Sequence, residues 1–459
     1  LLKCFDVGEE AGFFVHFFAL FVFLCFCATT VLRAEHVDML KAGAKANGKA
    51  LNTKLINSTI DRLNRGGGGT LFFPAGTYLT GSIHLKSNIT LELEAGATLL
   101  FSDNFDDYLP FVEVRHEGVM MRSFQPLIYA VDAENITIKG EGTLDGQGKK
   151  WWMEFFRVMI DLKDNGMRDI NKYQPMWDAA NDTTAIYAET NKDYVSTLQR
   201  RFFRPPFIQP IRCKEIKIEG VKIVNSPFWT VNPEFCDNVT IKGITIDNVP
   251  SPNTDGINPE SCRNVHISDC HISVGDDCIT IKSGRDAQAR QLGVPCENIT
   301  ITNCTMLSGH GGVVIGSEMS GSVRKVTISN CIFDGTDRGI RIKSTRGRGG
   351  VVEDIRVSNI VMSNIKREAV VLNLKYSKMP AEPKSERTPI FRNVHISGMT
   401  VTDVKTPIKI VGLEEAPISD IVLRDIHIQG GKQKCIFENC ERITMDDVIV
   451  NGEKTTSIN

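Results

Sequence analysis

The chain has 459 residues, of which 42% are hydrophobic and 24% are charged, and its formal net charge at pH 7 is −2. This balance is typical of a soluble globular protein, and it excludes the strongly basic surface that a nucleic acid partner would require. A chain of this length usually divides into two or three domains, unless it is a solenoid that grows by adding coils to one core.

The first 34 residues differ in composition from everything that follows. The stretch Gly12–Leu32 contains no Asp, Glu, Lys or Arg and is rich in Phe, Leu and Val. Such a stretch fits a cleaved secretory signal peptide, and at about 20 residues it also fits an uncleaved signal anchor. We therefore expect residues 1–34 to direct the protein into the secretory pathway, with membrane attachment only if this segment is retained.

Residues 35–459 are predicted to form a single domain that begins with a cap. From Glu35 to Leu63 the pattern is weakly helical, and Asn52–Leu63 places its apolar residues on one face of an amphipathic helix. A solenoid must cover its open end, so we assign residues 35–65 as an N-terminal cap with a capping helix. Gly66–Gly69 then breaks the helix before the first strand.

Short β-branched runs recur through the rest of the chain at nearly constant intervals. The repeat passes through Ile218, Ile241, Ile267, Ile301, Ile328 and Val357. Intervals of this length are typical of a solenoid, and the two-residue hairpin turns of an antiparallel sandwich do not separate the runs. The sequence therefore predicts an all-β fold, a right-handed single-stranded parallel β-helix, with the handedness taken from the general rule for parallel crossovers.

Residues 149–207 interrupt this period and are rich in aromatic side chains, among them Trp151, Tyr173 and Trp177. A non-repeat insertion of this length is usually functional or disordered, and the aromatic content argues against disorder. Two interpretations stay open. The segment forms either a wall of a binding cleft with exposed aromatic rings, or a satellite core packed against the solenoid.

Four short polar clusters stand beside β-branched runs in the central part of the chain. They are Asn253-Thr254-Asp255-Gly256, Gly275-Asp276-Asp277, Gly309-His310-Gly311 and Arg341-Ile342-Lys343. Any one cluster alone is more typical of a turn or a solvated strand face than of a site. Four clusters in register on consecutive coils are much harder to explain by structure alone, and they favour function.

Aligned on the adjacent strands, the clusters fall into two columns. One column contains Asp255, Asp277, Gly311 and Arg338, and the other contains Thr254, Asp276, His310 and Asp337. Residues of one column occupy coils about 4.8 Å apart, so the three central aspartates are expected to meet. Like charges this close raise the pKa of at least one carboxyl group, which lets one site hold an acid and a base near neutral pH.

The clusters, in this order and at this spacing, resemble those of the polygalacturonases, glycoside hydrolase family 28. The resemblance extends from about Gly66 to about Asn451, and the run Ile315–Gly321 is similar to the branch that contains bacterial and plant polygalacturonase-like enzymes. It implies a cell-wall glycosidase that hydrolyses α-1,4 bonds between galacturonate units of pectin with inversion at the anomeric carbon. We expect a monomer that needs neither a cofactor nor a metal ion.

Carried over residue by residue, the resemblance assigns roles to the acidic residues. Asp276 would be the general acid that protonates the leaving oxygen, and Asp255 with Asp277 would position the attacking water. The columns agree with this division, because Asp255 and Asp277 stack while Asp276 is offset. His310 would hydrogen-bond Asp276 and tune its proton.

The remaining candidates would bind the acidic polysaccharide. Arg341 and Lys343 point to one side of a strand and would hold a galacturonate carboxylate. Nearby Lys282, Arg285, Arg338, Arg346 and Arg348 add positive charge. Asn253 matches the family motif and would support the cleft, and Tyr376 is a sugar-contact candidate with a looser match.

Other activities stay open at this point. A rhamnogalacturonan or xylogalacturonan hydrolase could use the same fold, although Arg341 and Lys343 favour an anionic sugar beside the scissile bond. A pectate lyase would release an unsaturated product that absorbs in the ultraviolet. A non-catalytic pectin-binding solenoid would release no reducing sugar.

The cysteines and glycosylation sequons also follow the repeat. Cys213, Cys236, Cys262, Cys296 and Cys440 precede strands, whereas Cys270, Cys304 and Cys331 follow them. Stacked free thiols are the leading interpretation, and a Cys435–Cys440 disulfide is the easiest alternative to close. Most sequons lie in a recurring Asn-(Ile/Val)-Thr turn, where the Asn is expected to hydrogen-bond and stack, so Asn57 and Asn181 are the stronger candidates in a glycoprotein.

Overall fold

The computed structural model describes residues 35–165, 171–182 and 202–455. The predicted leader, residues 1–34, lies outside the described residues, as does part of the 149–207 segment. The described chain winds into coils, and equivalent strands of successive coils pair in parallel. Three rows of strands therefore run along the molecule around one core of stacked aliphatic side chains.

The first row follows the recurring Ile and Val positions. It contains Glu35–Asp38, Gly69–Phe73, Ile89–Leu93, Glu134–Gly140, Lys214–Glu219, Asp237–Lys242, Arg263–Ser268, Cys296–Thr302 and the opening parts of Val323–Asp334, Val351–Asn373, Ile390–Val411, Ile418–Gly431 and Cys440–Val450. The strand register joins, in order, Ile218, Ile241, Ile267, Ile301, Ile328 and Val357. The predicted period is thus confirmed residue by residue, and with it the right-handed parallel β-helix.

The other two rows follow within each coil. The second row contains Gly76–Thr80, Ala97–Phe101, Thr143–Asp145, Lys222–Val224, Thr245–Asp247, His271–Ser273 and Thr305–Ser308, and it continues within the long strands. The third row contains Ile83–His84, Ile128–Val131, Ile208–Ile211, Asp277–Ile281, Gly311–Ile315, Ile340–Lys343 and Ile436–Glu438. Single bridges at Val231 and Ile257 complete the third row, which carries the four polar clusters.

The remaining elements cover the solenoid. Strands Val112–His116 and Val119–Ser123 form an antiparallel hairpin, and Glu453–Lys454 turns back on the last long strand. Within residues 35–165, 171–182 and 202–455 the helices are Thr53–Arg65, Lys149–Asn165, Gln174–Ala180 and Asp286–Leu292, with a 3₁₀ turn at Phe105–Tyr108. Among the described residues, no helix is both long enough and apolar enough to cross a bilayer.

The predicted capping helix forms over Thr53–Arg65 and buries Ile56, Ile60 and Leu63 against the first coil. The weakly helical pattern from Glu35 predicted helical structure in the residues before this helix, and that structure is absent there. Glu35–Asp38 is instead a strand that pairs in parallel with Gly69–Phe73. Unpaired backbone groups at the end of the sheet provide hydrogen bonds that a short polar helix could not match, so this part of the prediction was wrong.

The described part of the 149–207 segment forms an aromatic core. Trp151 lies fully buried, with its ring centroid 4.2 Å from that of Phe105 and 5.1 Å from that of Phe124. Trp177 is buried against Phe203 at a centroid distance of 5.2 Å. These rings are therefore packed against the solenoid, which matches the satellite-core interpretation, and they are not free to stack on a ligand.

Asparagines where the chain turns into the first-row strands, just before each strand or within its first three residues, form a ladder. Asn88, Asn135 and Asn298 have φ values of 63°, 55° and 59°, a left-handed conformation that Asn tolerates better than most residues. Nδ2 of Asn135 donates to Oδ1 of Asn88 at 3.0 Å, and Nδ2 of Asn298 donates to Oδ1 of Asn264 at 3.1 Å. The recurring Asn-(Ile/Val)-Thr sequence is therefore a structural signature of the turn.

The ten cysteines of the described chain are free thiols. Cys213, Cys236, Cys262 and Cys296 occupy successive coils, as the register of the following residues shows. All four are buried, as are Cys270, Cys304 and Cys331 on a second line. Cys435 and Cys440 are half-buried and unbridged, so the thiol stacks form and the disulfide does not.

Replacing a core residue of the first row should lower the free energy of unfolding. Ile218→Ala removes methyl groups that pack between Ile138 and Ile241 on the adjoining coils, so we expect the free energy of unfolding to fall by about 2–5 kcal/mol. Its neighbour Lys217 is exposed, and Lys217→Ala should change stability by no more than about 0.5 kcal/mol. Urea unfolding followed by circular dichroism checks both values, and equal losses would contradict the inward position of Ile218.

Candidate active site

The third row brings the predicted columns together. The backbone N–H of Gly256 donates to the oxygen of Asp277 at 3.0 Å, and Asp277 is in register with Gly311. In the second column, the N–H of His310 donates to the oxygen of Asp276 at 2.8 Å. Both columns are therefore physical stacks, held by hydrogen bonds of the main chain.

The three aspartates meet at the surface of this row. Asp255, Asp276 and Asp277 each offer a carboxylate oxygen, and these three oxygens lie within 4.8 Å of one another. Asp255 is 3% exposed and Asp277 is 1% exposed, whereas the side chain of Asp276 is 18% exposed. Asp276 is therefore the member of the trio that is most open to a ligand.

Asp255 lies in surroundings that favour its protonated form. Its Oδ2 accepts from Nδ2 of Asn258 at 3.0 Å, and Nζ of Lys282 lies 3.7 Å away. Burial, together with the charge of Asp276, outweighs the attraction of Lys282 and raises the pKa of Asp255 to about 8. This carboxyl group is therefore protonated at neutral pH.

Asp277 lies in the opposite situation. Its Oδ1 accepts from Nη1 of Arg341 at 3.0 Å, and its Oδ2 accepts from Nζ of Lys343 at 2.7 Å. Burial alone would raise its pKa, but the two cations outweigh burial and lower the pKa to about 2. Asp277 is therefore an anion throughout the physiological pH range.

Asp276 is held by three donors. Its Oδ1 lies 3.0 Å from Nδ1 of His310 and accepts the backbone N–H of Asp277, also at 3.0 Å. Its Oδ2 lies 3.5 Å from Nδ2 of Asn253. The hydrogen bond to Asp276 outweighs partial burial and raises the pKa of the exposed His310, as expected for an imidazole beside a carboxylate.

Arg341 and Lys343 lie beneath the trio, not free in the cleft. Both are less than a tenth exposed, and both are engaged by Asp277. Tyr376 is 46% exposed, with its ring centroid 5.7 Å from the guanidinium carbon of Arg341 and 5.3 Å from Nζ of Lys343. The two cations and the ring thus form one side of the site, and their contact with a substrate carboxylate stays a prediction.

A buried carboxylate that the sequence reasoning did not single out organises the opposite side. Glu318 accepts from Nζ of Lys282 at 2.9 Å and from Nη2 of Arg285 at 2.8 Å, and Nη2 of Arg348 lies 3.8 Å away. Although burial opposes ionisation, these cations hold the pKa of Glu318 well below its usual range. Its only sequence signal was its place in the run Ile315–Gly321, directly after a third-row strand.

The other predicted cations have structural partners. Arg346 pairs with Glu414 and Glu415 at 2.6 Å each, and Arg338 pairs with Glu368 at 2.9 Å. A cavity of about 260 Å³ remains between the two sides, and its lining includes all three aspartates, Asn253, Lys343 and Tyr376. The trio has the ligand spacing of a cation site, and Lys282, Arg341 and Lys343 already contact its carboxyl groups.

A parallel β-helix with a cluster of carboxylates of differing protonation, in an open cleft rich in cations, fits an enzyme that acts on an acidic polysaccharide. Residues 196–448 match the glycosyl hydrolases family 28. A Vitis vinifera protein named "Probable polygalacturonase" is 30% identical over 89% of this chain and 77% of its own length. An endo-polygalacturonase of Pectobacterium carotovorum subsp. carotovorum is 30% identical over 71% of this chain and 74% of its own.

The solved structures agree with the sequence relatives. A hyperthermoactive exopolygalacturonase from Thermotoga maritima aligns with a TM-score of 0.79 at 34% identity, covering 92% of this chain and 93% of its own. The chain belongs to glycosyl hydrolases family 28. It is therefore a glycosidase, as the four polar clusters indicated.

Substituting Asp255 should change how stability depends on pH. Its pKa of about 8 lies above the usual value of 3.8, so the folded protein binds more protons than the unfolded chain between these values, and stability falls as the pH rises. Asp255→Asn removes this slope. Relative to wild type, we expect the variant to gain up to about 1.4 kcal/mol per pH unit over this range.

Melting temperatures at pH 5 and pH 8 measure this effect. The advantage of Asp255→Asn over wild type should be larger at pH 8. Asp247→Asn, at an exposed position, provides the control and should shift the melting temperature equally at both pH values. An identical offset for Asp255→Asn at pH 5 and pH 8 would mean that Asp255 ionises normally in the folded state.

Proposed function

We propose that the chain hydrolyses α-1,4 bonds between galacturonate units of polygalacturonate, the unmethylated backbone of pectin. The observation that carries this proposal is the trio of aspartates within 4.8 Å of one another. Burial protonates Asp255, and cations keep Asp277 ionised. Such separation supplies an acid and a base in one cleft at one pH.

The acid step falls to Asp276. It is the most exposed of the three carboxyl groups, and His310 and Asn253 hold its two oxygens. With its pKa of about 8, Asp255 holds a proton at neutral pH within 4.8 Å of Asp276. Substrate and water binding would supply the hydrogen bonds that an ionised Asp255 lacks, so that the proton moves to Asp276 and from there to the glycosidic oxygen.

The base step falls to Asp255 and Asp277. A water between them would give its proton to this pair as its oxygen attacks the anomeric carbon, leaving one new reducing end per bond cleaved. The carboxylate oxygens lie nearer together than the roughly 6.5–9.5 Å that is usual between the carboxyl groups of inverting enzymes. This separation is short for inversion by that rule, so we propose inversion on the family resemblance and not on the spacing.

Substrate recognition rests on the cations beside Tyr376. Arg341 and Lys343 contact Asp277 through one guanidinium nitrogen and one ammonium, and each cation retains further N–H donors that could meet a galacturonate carboxylate. A rhamnose in that place would leave these donors unpaired, so a rhamnogalacturonan hydrolase is less favoured. We also propose that the enzyme is secreted to the cell wall through the segment 1–34.

Asp276→Asn should abolish hydrolysis and leave the fold intact. The amide cannot give a proton to the leaving oxygen, so we expect the release of reducing ends from polygalacturonate to fall at least about 100-fold. Asp269→Asn, at an exposed turn, is the matched control and should keep wild-type turnover. Near-wild-type activity of Asp276→Asn would refute the assignment of the acid.

The stereochemistry and the chemical nature of the product provide a further test of the proposed reaction. Proton NMR of the first product should show the β-anomer, as inversion of an α-bond requires. An α-anomer would show retention and would contradict the water-positioning role of Asp255 and Asp277. A product that absorbs in the ultraviolet would show elimination and refute hydrolysis.

Lys343→Met should affect both binding and the pH profile. After burial, Lys343 exerts the largest influence on the pKa of Asp277, which it lowers. Without it that pKa rises, so the acidic limb of the kcat profile should move to higher pH by about one unit. The KM for polygalacturonate should also rise. Lys217→Met, on an exposed position of the first row, should change neither quantity, and an unmoved acidic limb in Lys343→Met would show that Asp277 is not the base.

A further inference from the structure

A buried arginine joins the end of the 149–207 segment to the general acid. Arg204 is only 2% exposed although it carries a full positive charge. Its Nη1 donates to the backbone oxygens of Pro227 at 2.9 Å and of Pro252 at 2.7 Å, and its Nη2 donates to Oδ1 of Asn253 at 2.8 Å. Arg204 therefore holds both the main chain before Asn253 and the side chain of Asn253 itself.

These contacts determine which way the Asn253 amide faces. A guanidinium has only N–H donors, so it must meet the amide oxygen, and the amide nitrogen is turned away from it. Nδ2 of Asn253 then lies 3.5 Å from Oδ2 of Asp276. The other carboxylate oxygen of Asp276, its Oδ1, lies beside Nδ1 of His310 and accepts the backbone N–H of Asp277. A reversed amide would lose its bond to Arg204 and would present an oxygen to a carboxylate.

The main chain at Asn253 also needs support. Asn253 has a φ of 52°, a left-handed conformation that places the chain in a sharp turn two residues before Asp255. The bond from Arg204 to the Pro252 oxygen fixes the peptide that leads into this turn. One side chain thus fixes the backbone that delivers Asp255 and the amide that contacts Asp276.

Aromatic rings keep the guanidinium in place. Its central carbon lies 4.0 Å from the ring centroid of Phe155 and 5.1 Å from that of Phe228. The ring of His116 stacks on Phe228 at a centroid distance of 4.4 Å. A planar cation packed against rings is shielded from water and loses little further freedom when it forms its hydrogen bonds.

We propose that Arg204 is a positioning residue for the general acid, acting through Asn253 on Asp276. This inference rests on the proposed function of Asp276. Arg204 is not itself among the residues that line the cleft, and it reaches Asp276 through Asn253, so its effect should fall on the rate of the chemical step and not on substrate binding. Displacement of a catalytic group by about 1 Å can cost about 100-fold in rate.

The test uses Arg204→Lys, which keeps the charge but lacks the forked geometry that reaches two carbonyls and an amide at once. We expect kcat on polygalacturonate to fall about tenfold or more, with KM within about twofold of wild type. The same substitution in an Asn253→Leu background should cause a clearly smaller further loss, because the amide through which Arg204 acts on Asp276 is already gone and only its bonds to the main chain remain. A purely structural role would not produce this dependence on Asn253.

Two further variants keep the test decisive. Phe155→Leu weakens the aromatic support of the Arg204 guanidinium without removing it. This variant should lower kcat several-fold, again only when Asn253 is present. It provides the deciding measurement if Arg204→Lys does not fold. Arg212→Lys is the control, because Arg212 also forms several hydrogen bonds, to Asp132 and Glu113 on an exposed edge, and it should keep wild-type kcat.

The possible failures are distinguishable. Equal fold losses from Arg204→Lys with and without Asn253, or a raised KM with unchanged kcat, would overturn the positioning role. Wild-type kcat in a folded Arg204→Lys would do the same and leave the proposed function standing. Absence of hydrolysis by the wild-type enzyme would instead refute the proposed function itself.

Discussion

Main-chain pairing between successive coils is the interaction on which both the fold and the site depend. The same parallel register that stacks Ile241 on Ile267 in the core also places Asp255 beside Asp277 at the base of the cleft. Carboxylates repel one another at this distance, so their own interactions cannot hold them together. The backbone hydrogen bonds of the third row impose the proximity, and the repulsion becomes a source of unequal protonation.

Buried cations determine how that repulsion is distributed. Arg341 and Lys343 are committed to Asp277, and Lys282 is shared between Asp255 and Glu318. Glu318 in turn gathers Lys282, Arg285 and Arg348, which would otherwise repel one another. The site is therefore a network of alternating positive and negative side chains, in a chain whose net charge is only −2. Local arrangement, not overall charge, makes the cleft attractive to an acidic polymer.

The sequence predicted the features that depend on the period of the chain. Column membership of Asp255, Asp276, Asp277 and His310 could be read directly, because side chains alternate along a strand and coils repeat at a recognisable interval. The stacks of cysteines and of asparagines could be predicted from the sequence for the same reason. The helical expectation at Glu35–Asp38 failed because a sheet edge, absent from any local pattern, decided the structure there.

Features that depend on the reach of long side chains could not be predicted in the same way. The capture of Arg341 and Lys343 by Asp277, and the role of Glu318 as a partner for three cations, require knowledge of which side chains meet across the cleft. Arg204 illustrates the limit best. It lies outside the four clusters, and its link to Asn253 spans 49 residues of sequence. Only the packed position of the aromatic segment brings the two together.

The two lines of unbridged cysteines bear on where this enzyme can mature. Eight of the ten thiols in the described chain are buried, out of reach of the small oxidants and disulfide-exchange enzymes that act on accessible thiolates. Stability then comes from aliphatic and thiol packing along the coils, with no covalent crosslink among these cysteines to form, isomerise or lose. Because the native state contains no disulfide among these cysteines, reaching it requires no oxidising compartment.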